Sequence, residues 1–533
     1  MLRNVLEDYL NNIGERDFDL PFISLLPSMG FYDIHYTHGQ VEFGKDFIAK
    51  RDEEGTRFQY SFQAKVGDIT QADWRNNIMG QMLEASMIGL SHPSFDKSLQ
   101  HKPVLVTTGK LTGNVSISLQ DLNETLQTKY SKLPIVLWDK EKLIEHLGKN
   151  GLMGLHNATA TGFVAFGNFY VLYGNIINGK VDETELESHF AHWIKENIEL
   201  KKKLLGSTLE AEILIQRFRV SGYLYESIMI RLCILRLLLR EINYAGVSGK
   251  DFLLELYDQL NQILYKDCKQ FMEIIIDSWL TSERNLVKLT NNSGNIITYP
   301  IYCARILEIA GFLYFLEEDP SERKNITDFI ADFISREPGS LHIPSDNYAI
   351  SLVLPILALA RSNKTETAEA ALRESVVWLI NRYQDGLGLA PFKATAEEEV
   401  NFLLGYPFEA IKINSSNDSF LATTLIDLIA SLNFSQLYLD TVNDIKAINL
   451  FPQYWQIPDT EALFCLDSED IVNYPNIEFV EMPTDFSEFK YADHIMHEVR
   501  NYKILQTTRP ITLFGLMLLL RDRYFPTIWR YLI

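Results

Sequence analysis

The stretch GQVEFGKDFIAKRDEEGTRFQYSFQAK, residues 39–65, contains two segments of strand character separated by the turn-like RDEEGT. Side chains of a strand alternate between its two faces. The first segment therefore places Glu42 and Asp46 on one face, and the second ends with Gln63 and Lys65 on its polar face. If the two strands are neighbours, Asp46, Gln63 and Lys65 converge at one edge of a sheet, with Glu42 below them.

These side chains suit a hard divalent cation. Mg²⁺ prefers one or two carboxylates with neutral oxygens and keeps several waters. Asp46 would supply charge, and the Gln63 carboxamide oxygen and the Ala64 backbone carbonyl would supply neutral ligands. Lys65 would orient or help to deprotonate a metal-bound water and would stabilise charge on a phosphate. The residues therefore predict a Mg²⁺ or Mn²⁺ site that hydrolyses a phosphodiester, and the alternative is an ordinary polar sheet surface.

The surrounding sequence predicts an α/β domain over residues 1–150. In chain order the predicted elements are a helix at 20–29, strands at 32–37, 41–50 and 57–66, a helix at 74–90, a strand at 103–109, a helix at 119–130, a strand at 134–139 and a helix at 140–147. This order indicates a mixed sheet with helices on both faces. Gly44, between the two acids, leaves space for a backbone or a ligand to approach.

The pattern GKDF followed by QAK on the next strand, after a helix and MGF, resembles the PD-(D/E)XK nuclease superfamily. More narrowly, it is similar to Mrr-like restriction endonuclease domains, in which glutamine replaces the acid of the (D/E)xK triplet. VLVTTGKLT, followed by a helix and a strand, is similar to the later part of that domain. The resemblance covers roughly residues 15–148, a little over a quarter of the chain.

The resemblance implies Mg²⁺-dependent DNA cleavage, often in prokaryotic defence, by a restriction-endonuclease-like fold. It implies that Asp46 binds metal, that Gln63 binds metal or positions water, and that Lys65 is catalytic. Glu42 departs from the family pattern, which more often shows Gly-x-Asp preceded by small residues. We keep Glu42 as a second catalytic and metal-binding acid, because Gln63 is neutral and Asp46 alone would hold Mg²⁺ weakly.

Several other polar residues were weighed as site members. The family often has an acid on its first helix, and Asp17 or Asp19 would fill that position. Gln81 is interpreted as an exposed helix residue, and His35 and His38 as polar strand-end residues. The pairs His189 with His192 and His494 with His497 have a spacing that can bind metal on a helix, but no third ligand accompanies them.

Charge limits how this protein could bind nucleic acid. The formal net charge is −21, of which −4 falls in residues 1–150 and −17 in the rest. A general affinity for a polyanion needs the opposite sign. DNA is therefore expected to bind only at the N-terminal domain.

The remainder of the chain predicts a different architecture. Residues 151–182 are interpreted as a connector that carries a hairpin, and 183–533 as a large irregular all-α domain, with a sub-boundary near 385–420. No fixed repeat period is apparent. We expect this domain to sense a protein partner or a small-ligand trigger, and to form homo-oligomers through apolar faces of helices such as 223–240 and 511–524.

Composition also predicts the compartment. The chain has four cysteines and no CxxC pair, its N-terminus lacks an apolar signal core, and its longest apolar runs are shorter than a membrane span. These features predict a cytoplasmic protein without membrane association. The leading hypothesis is a metal-dependent endodeoxyribonuclease regulated by its helical domain. The alternatives are an inactive nuclease-fold scaffold that binds DNA or protein, or an RNase or tRNA-cleaving toxin of the same fold.

Overall fold

The fold was analysed in a computed structural model. It describes residues 2–148 except 15–16 and 38–42, several positions between 169 and 193, the ranges 200–245, 251–282, 299–390, 396–404, 417–455, 477–479 and 509–520, and residues 482 and 486. The chain divides into two compact units. The first comprises Met1–Val181 and His189–Tyr223, and the second comprises Asp182–Ser188 and Leu224–Ile533.

The first unit is an α/β unit whose elements largely follow the predicted order. They are α1 Leu2–Asn12, α2 Asp19–Ser28, β1 Tyr32–Tyr36, β2 Phe47–Glu53, β3 Thr56–Lys65, α3 Gln71–Asp73, a π-helical turn Trp74–Ile78, α4 Met79–Met87, β4 Gln100–Thr107, α5 Val115–Tyr130, β5 Val136–Trp138, α6 Lys140–His146 and α7 Leu200–Val220. The five strands form one mixed sheet in the order β1-β2-β3-β4-β5. The pairs β1–β2 and β2–β3 are antiparallel, and β3–β4 and β4–β5 are parallel. The predicted mixed sheet with helices is confirmed.

The central strand β3 is buried on both faces. On one face Phe62 contacts the rings of Phe22 from α2 and Trp138 from β5, at centroid distances of 5.3 and 5.4 Å. On the other face, buried residues of the π-turn, α4 and α5 pack together with Leu105 of β4. The polar positions of β3 that alternate with its aromatic residues are also enclosed: Gln59, Ser61 and Gln63 are all buried. The alternation of polar and aromatic residues in RFQYSFQAK predicts a strand with one buried face, and this prediction is wrong.

The second predicted strand begins later than expected. Phe43 and Gly44 have φ of +46° and +66°, which places them in a turn, and β2 starts at Phe47. Asp46 is therefore the residue before the strand rather than a member of it. Glu42 lies outside the described residues. The expected alternation of Glu42, Gly44 and Asp46 along one strand face is consequently wrong for Gly44 and Asp46.

Two further differences concern helices of the first unit. The spacing of apolar residues in 74–90 predicts that Met79, Leu83 and Met87 share one helical face with Met82. On α4, however, Met82 is fully buried while the other three are 38–40% exposed. In addition, α7 packs on α1 and α2, so the compact unit extends to Tyr223, beyond the expected domain limit at 150. Within the expected connector, residues 171–177 are helical, and most of the remainder lies outside the described residues.

The second unit is mostly helical. Its described elements are α8 Leu224–Ala245, α9 Asp251–Thr281, α10 Tyr299–Leu316, α11 Pro320–Arg336, α12 Val353–Arg361, α13 Thr365–Gln384, α14 Ala396–Leu403, β6 Asp418–Ser419, α15 Phe420–Ser431, α16 Ser435–Ala447, β7 Phe451–Trp455, β8 Ile477–Phe479 and α17 Pro510–Leu520. Short 3₁₀ turns lie at Pro338–Ser340 and Asp346–Leu352. The strands form a three-stranded sheet in the order β6-β7-β8, which the all-α prediction did not include.

Three helical hairpins follow one another in this unit: α10 with α11, α12 with α13, and α15 with α16. The first helix of each pair is buried along most of its length. Asn363 and Asn433 end the first helices of the second and third pairs in the left-handed conformation, with φ of +59° and +60°, as asparagine does at helix C-termini. The first helices begin at Tyr299, Val353 and Phe420, so their unequal spacing leaves no fixed period in the sequence.

The helices that were expected to mediate oligomer contacts are covered within this unit. The apolar residues of α8 from Ile228 to Leu239 are almost fully buried, as are Ile511 and Phe514 of α17. Among the described residues, the helix Tyr299–Leu316 is long and apolar enough, by length and composition, to cross a membrane, and 72% of it is buried inside the protein.

A pH-dependent stability is expected from His101 of β4. Its Nε2 lies 2.8 Å from the Ser61 hydroxyl, and burial, with a smaller contribution from Lys45, lowers its pKa from 6.5 to about 3. The unfolded chain therefore binds a proton below about pH 6.5 that the folded unit does not bind, and stability is lost as the pH falls from 6.5 towards 3. Urea unfolding at pH 7 and pH 5 should show a smaller pH-dependent loss in His101→Gln than in the wild type. An equal loss in both proteins would contradict this assignment.

Candidate functional site

The candidate site lies where the end of β3 meets the residue before β2. Asp46 Oδ2 accepts hydrogen bonds from Gln63 Nε2 at 2.9 Å and from the backbone N–H of Ala64 at 2.7 Å. The structure thus brings together Asp46, Gln63 and Ala64, which the sequence analysis had placed on two neighbouring strands. It is the N–H of Ala64, rather than its predicted carbonyl, that is seen to face the carboxylate.

Backbone hydrogen bonds on both sides hold Asp46 in this position. Its N–H donates to the Phe62 carbonyl at 2.8 Å, and its carbonyl accepts from the N–H of Thr37 at 2.9 Å. The ladder of the sheet therefore continues to Asp46 from both neighbouring strands. Asp46 is half-buried, and the Gln63 and Ala64 donors fix the direction of its carboxylate.

Lys65 lies at the carboxyl end of β3, opposite Thr107 of β4. Because strand side chains alternate, it shares the face of Gln63. The ends of β3 and β4 are tied together: the Thr108 N–H donates to the Lys65 carbonyl at 3.2 Å, and the Gly67 N–H donates to the Thr108 hydroxyl at 2.9 Å. Lys65 is half-buried. Its backbone is fixed at the end of β3, two residues from Gln63.

Gly44 brings α4 against the turn that carries Asp46. A Cβ on Gly44 would lie 2.1 Å from the Gln81 backbone oxygen, and the backbone also has a positive φ, so only glycine fits here. The space predicted beside Gly44 is thus filled by a backbone. Gln81 is half-buried, which corrects its interpretation as an exposed residue, and its carboxamide oxygen is buried without a hydrogen bond within the described part of the chain.

Sequence reasoning missed Lys45. Its side chain is fully buried, and Nζ donates to the carbonyls of Phe43 at 3.1 Å and Ile88 at 2.8 Å. Burial lowers its pKa to about 8, against a smaller opposing effect of Glu84. The sequence shows Lys45 between Gly44 and Asp46, just before an apolar strand. This pattern alone does not show that the lysine side chain turns inward.

The candidate first-helix acids have different surroundings. Asp17 pairs with Arg219 of α7 at 3.2 Å. Asp19 accepts a hydrogen bond from the Tyr36 hydroxyl at 3.1 Å, and Tyr36 is paired with Phe47, the residue after Asp46. Asp19 is therefore the better placed of the two relative to the site.

A second polar cluster lies further along the edge strand. His35 Nε2 is 2.8 Å from both Asp33 Oδ1 and the Ser94 hydroxyl, and Lys50 Nζ donates to Asp33 Oδ2 at 2.6 Å. Burial raises the pKa of Asp33, but hydrogen bonds from Lys50 and His35 outweigh it and leave this pKa below its ordinary value. Because both contacts of His35 are made by one nitrogen, the cluster is not a Ser–His–Asp relay, which needs both ring nitrogens.

The other histidines do not join the site. His189 bonds to Glu210, which also accepts from Trp193 Nε1 at 3.0 Å, so His189 belongs to a buried structural network. His38, His192, His494 and His497 lie outside the described residues.

The donor set at Asp46 fits a hard divalent ion. Among the described residues, no group of three or more His, Cys, Asp or Glu side chains is arranged to hold a metal, which argues against a zinc-type centre in that part of the chain. Mg²⁺ and Mn²⁺ need fewer protein ligands, since one or two carboxylates with waters suffice. Asp46 and Gln63 would hold such an ion, and the predicted second acid, Glu42, lies outside the described residues.

The described residues thus unite an oriented carboxylate, a carboxamide and a lysine at the end of β3. Asp46 is held by Gln63 and Ala64, and Lys65 follows on the same strand. Comparison with protein-family models, with curated proteins and with solved structures finds no match to this chain.

Proposed function

We propose that the first unit is a metal-dependent endonuclease that hydrolyses DNA phosphodiester bonds through Asp46, Gln63 and Lys65. The observation that carries the proposal is the approach of Gln63 and Ala64 to one carboxylate oxygen of Asp46. The strand order also supports the proposal. The resemblance to PD-(D/E)XK nucleases predicts three antiparallel strands, followed by a helix and a parallel strand.

Each residue has a distinct part in the proposed reaction. A bound Mg²⁺ or Mn²⁺ would neutralise charge on the phosphate and acidify the attacking water. Asp46 would hold the ion, with Glu42 as the second acid. Gln63 would orient Asp46 through its amide N–H, and Lys65 would orient the water and stabilise the charge that develops on the phosphate.

The proposal extends to the biological role of the chain. We propose a cytoplasmic effector of prokaryotic defence, whose second unit regulates the nuclease. The acidic balance of the chain after residue 150 disfavours binding of a polyanion there, since charges act over about 8 Å at physiological salt. A groove of about 600 Å³ between α9 and the end of α10, lined by residues such as Tyr257, Tyr265 and Arg509, is a candidate position for a small-ligand trigger.

Removal of the charged groups should abolish cleavage. Asp46→Asn and Lys65→Ala are each expected to lower the rate by about 100-fold or more, because a ligand charge or the phosphate-stabilising cation is lost. Supercoiled plasmid, single-stranded DNA and tRNA are incubated with Mg²⁺, Mn²⁺ or EDTA. The matched controls are Asp52→Asn, in an exposed ion pair with Arg57, and Lys129→Ala, on the exposed side of α5.

The same assay separates the alternatives. Full activity in EDTA, or of the Asp46→Asn variant, would contradict the metal-dependent mechanism. Cleavage of tRNA but not of DNA would favour the RNase alternative. Binding of DNA without cleavage in the presence of either metal would favour the inactive scaffold.

Gln63→Glu should couple stability to metal. The change places a carboxylate oxygen where an amide donor faces Asp46, so repulsion should lower the melting temperature of the metal-free protein. Mg²⁺ should restore it and should reach half-maximal activity at a lower concentration than in the wild type, because two carboxylates bind the ion more tightly.

Gln59→Glu is the matched control for this experiment. Gln59 is a buried glutamine of the same strand face, bonded to the Ala49 carbonyl and the Asp96 N–H. Its loss should lower the melting temperature without any restoration by Mg²⁺. If metal fails to restore Gln63→Glu, or restores both variants equally, Gln63 does not lie at a metal site.

Oligomer formation is expected to serve double-strand cutting. Cleavage of both strands of a duplex needs two active sites, which two copies of the chain would provide. Light scattering of the full-length protein, beside the plasmid assay, should show a homo-oligomer that is more active on duplex than its dilute form. A fully active monomer would overturn this part of the proposal.

A further inference from the structure

The turn of residues 43–46, here called the acid turn, is held to α4 at two points. At one point Gly44 packs directly on the Gln81 carbonyl. At the other, the Lys45 ammonium donates to the Ile88 carbonyl at 2.8 Å, and Ile88 is the residue immediately after α4. Both contacts are made by residues that immediately precede Asp46.

The contact of Lys45 combines charge with burial. A buried ammonium is costly unless it is hydrogen-bonded. Lys45 bonds to Ile88, the residue after α4, and back to Phe43 within the acid turn. One side chain therefore closes the turn on itself and fastens it to the helix.

The acid turn also determines the position of the Asp46 carboxylate. Asp46 follows Lys45 directly, and its Oδ2 is within 2.7 Å of the Ala64 N–H. A displacement of the acid turn from α4 would move this oxygen relative to Gln63 and Ala64. The backbone of Asp46 is held by hydrogen bonds to Phe62 and Thr37, and the two contacts with α4 add a restraint on the residues that precede it.

We propose that Lys45 is a positioning residue, which clamps the acid turn to the end of α4 and so holds Asp46 in the geometry that binds the metal ion. The effect of Lys45 on metal binding rests on the proposed function, whereas the contact between the acid turn and α4 does not depend on a metal ion. Residues that orient a metal ligand typically change metal affinity by about 10- to 100-fold when they are removed. Lys45 should therefore affect the metal requirement more than the rate at saturating metal.

The first test compares Lys45→Met with Lys102→Met in the full-length protein. Lys102 is a partly buried lysine of the same sheet that pairs with Glu53, so its loss also costs stability. Lys45→Met should raise the Mg²⁺ concentration for half-maximal cleavage, and the Mn²⁺ dissociation constant measured by calorimetry, by about tenfold or more. Lys102→Met should leave both near the wild-type values.

The second test moves the acid turn without removal of the ammonium. Gly44→Ala would place a methyl group 2.1 Å from the Gln81 oxygen and should reproduce the raised metal requirement. Gly55→Ala is its control, because Gly55 has a positive φ of +83° with no atom within 4 Å of an added Cβ. This pair keeps the proposal testable if Lys45→Met does not fold.

A third readout needs neither metal nor DNA. Hydrogen exchange of the Ala64 amide, which donates to Asp46, should be faster in Lys45→Met and Gly44→Ala than in their controls. If exchange and metal affinity change no more than in the controls, the clamp is overturned. If exchange responds while the wild type neither binds metal nor cleaves DNA, the clamp stands and the proposed function fails.

Discussion

The enclosure of β3 on both faces is the constraint on which the first unit depends. A buried polar side chain costs free energy unless it is hydrogen-bonded, and this strand carries three such side chains between its aromatic residues. Gln59 is satisfied by the Ala49 carbonyl and the Asp96 N–H, and Ser61 by His101 of the parallel strand β4. Gln63 is satisfied by Asp46. The segments that pack on β3 are thus those that can bond to it.

The same constraint distinguishes two acids of the unit. Asp33 is bonded to Lys50 and His35, so its charge is compensated within the protein. Asp46 is held by a carboxamide and a backbone N–H, which orient its carboxylate without neutralising it. A carboxylate oriented by neighbouring donors at a strand end is a suitable ligand for a divalent cation, and this orientation supports Asp46 as the metal-binding group of the proposed nuclease.

The second unit follows a simpler rule. The first helix of each hairpin is apolar around most of its circumference, and the second helix is apolar on one side only, so each hairpin covers its inner helix with its outer one. Glu308 is fully buried within this core and accepts hydrogen bonds from Tyr225 and Ser351. The described apolar residues of α8 and α17 are mostly buried within the unit, so we expect assembly of copies to use other surfaces.

What the sequence determined by itself was the order and type of elements and the identity of the site-bearing strand. Periodicity and turn residues are local properties, and they located β1, β3, β4, β5 and the helices α2, α4, α5 and α6 to within a few residues, whereas α1 and the place of α7 in this unit were not predicted. The alternation in RFQYSFQAK also placed Gln63 and Lys65 on one face correctly. The metal, the substrate and the nuclease fold remain predictions that the sequence motivates.

What only the tertiary structure decided was the surroundings of each side chain. The late start of β2 depends on the positive φ of Phe43 and Gly44. Position 44 requires glycine because the Gln81 carbonyl occupies the space where a Cβ would lie. The burial of Gln59 and Ser61 follows from contacts with segments some forty residues away, and so does the inward direction of Lys45 towards Ile88. A sequence pattern records the polarity of a residue, but the free energy of its burial is set by partners that are distant in the chain.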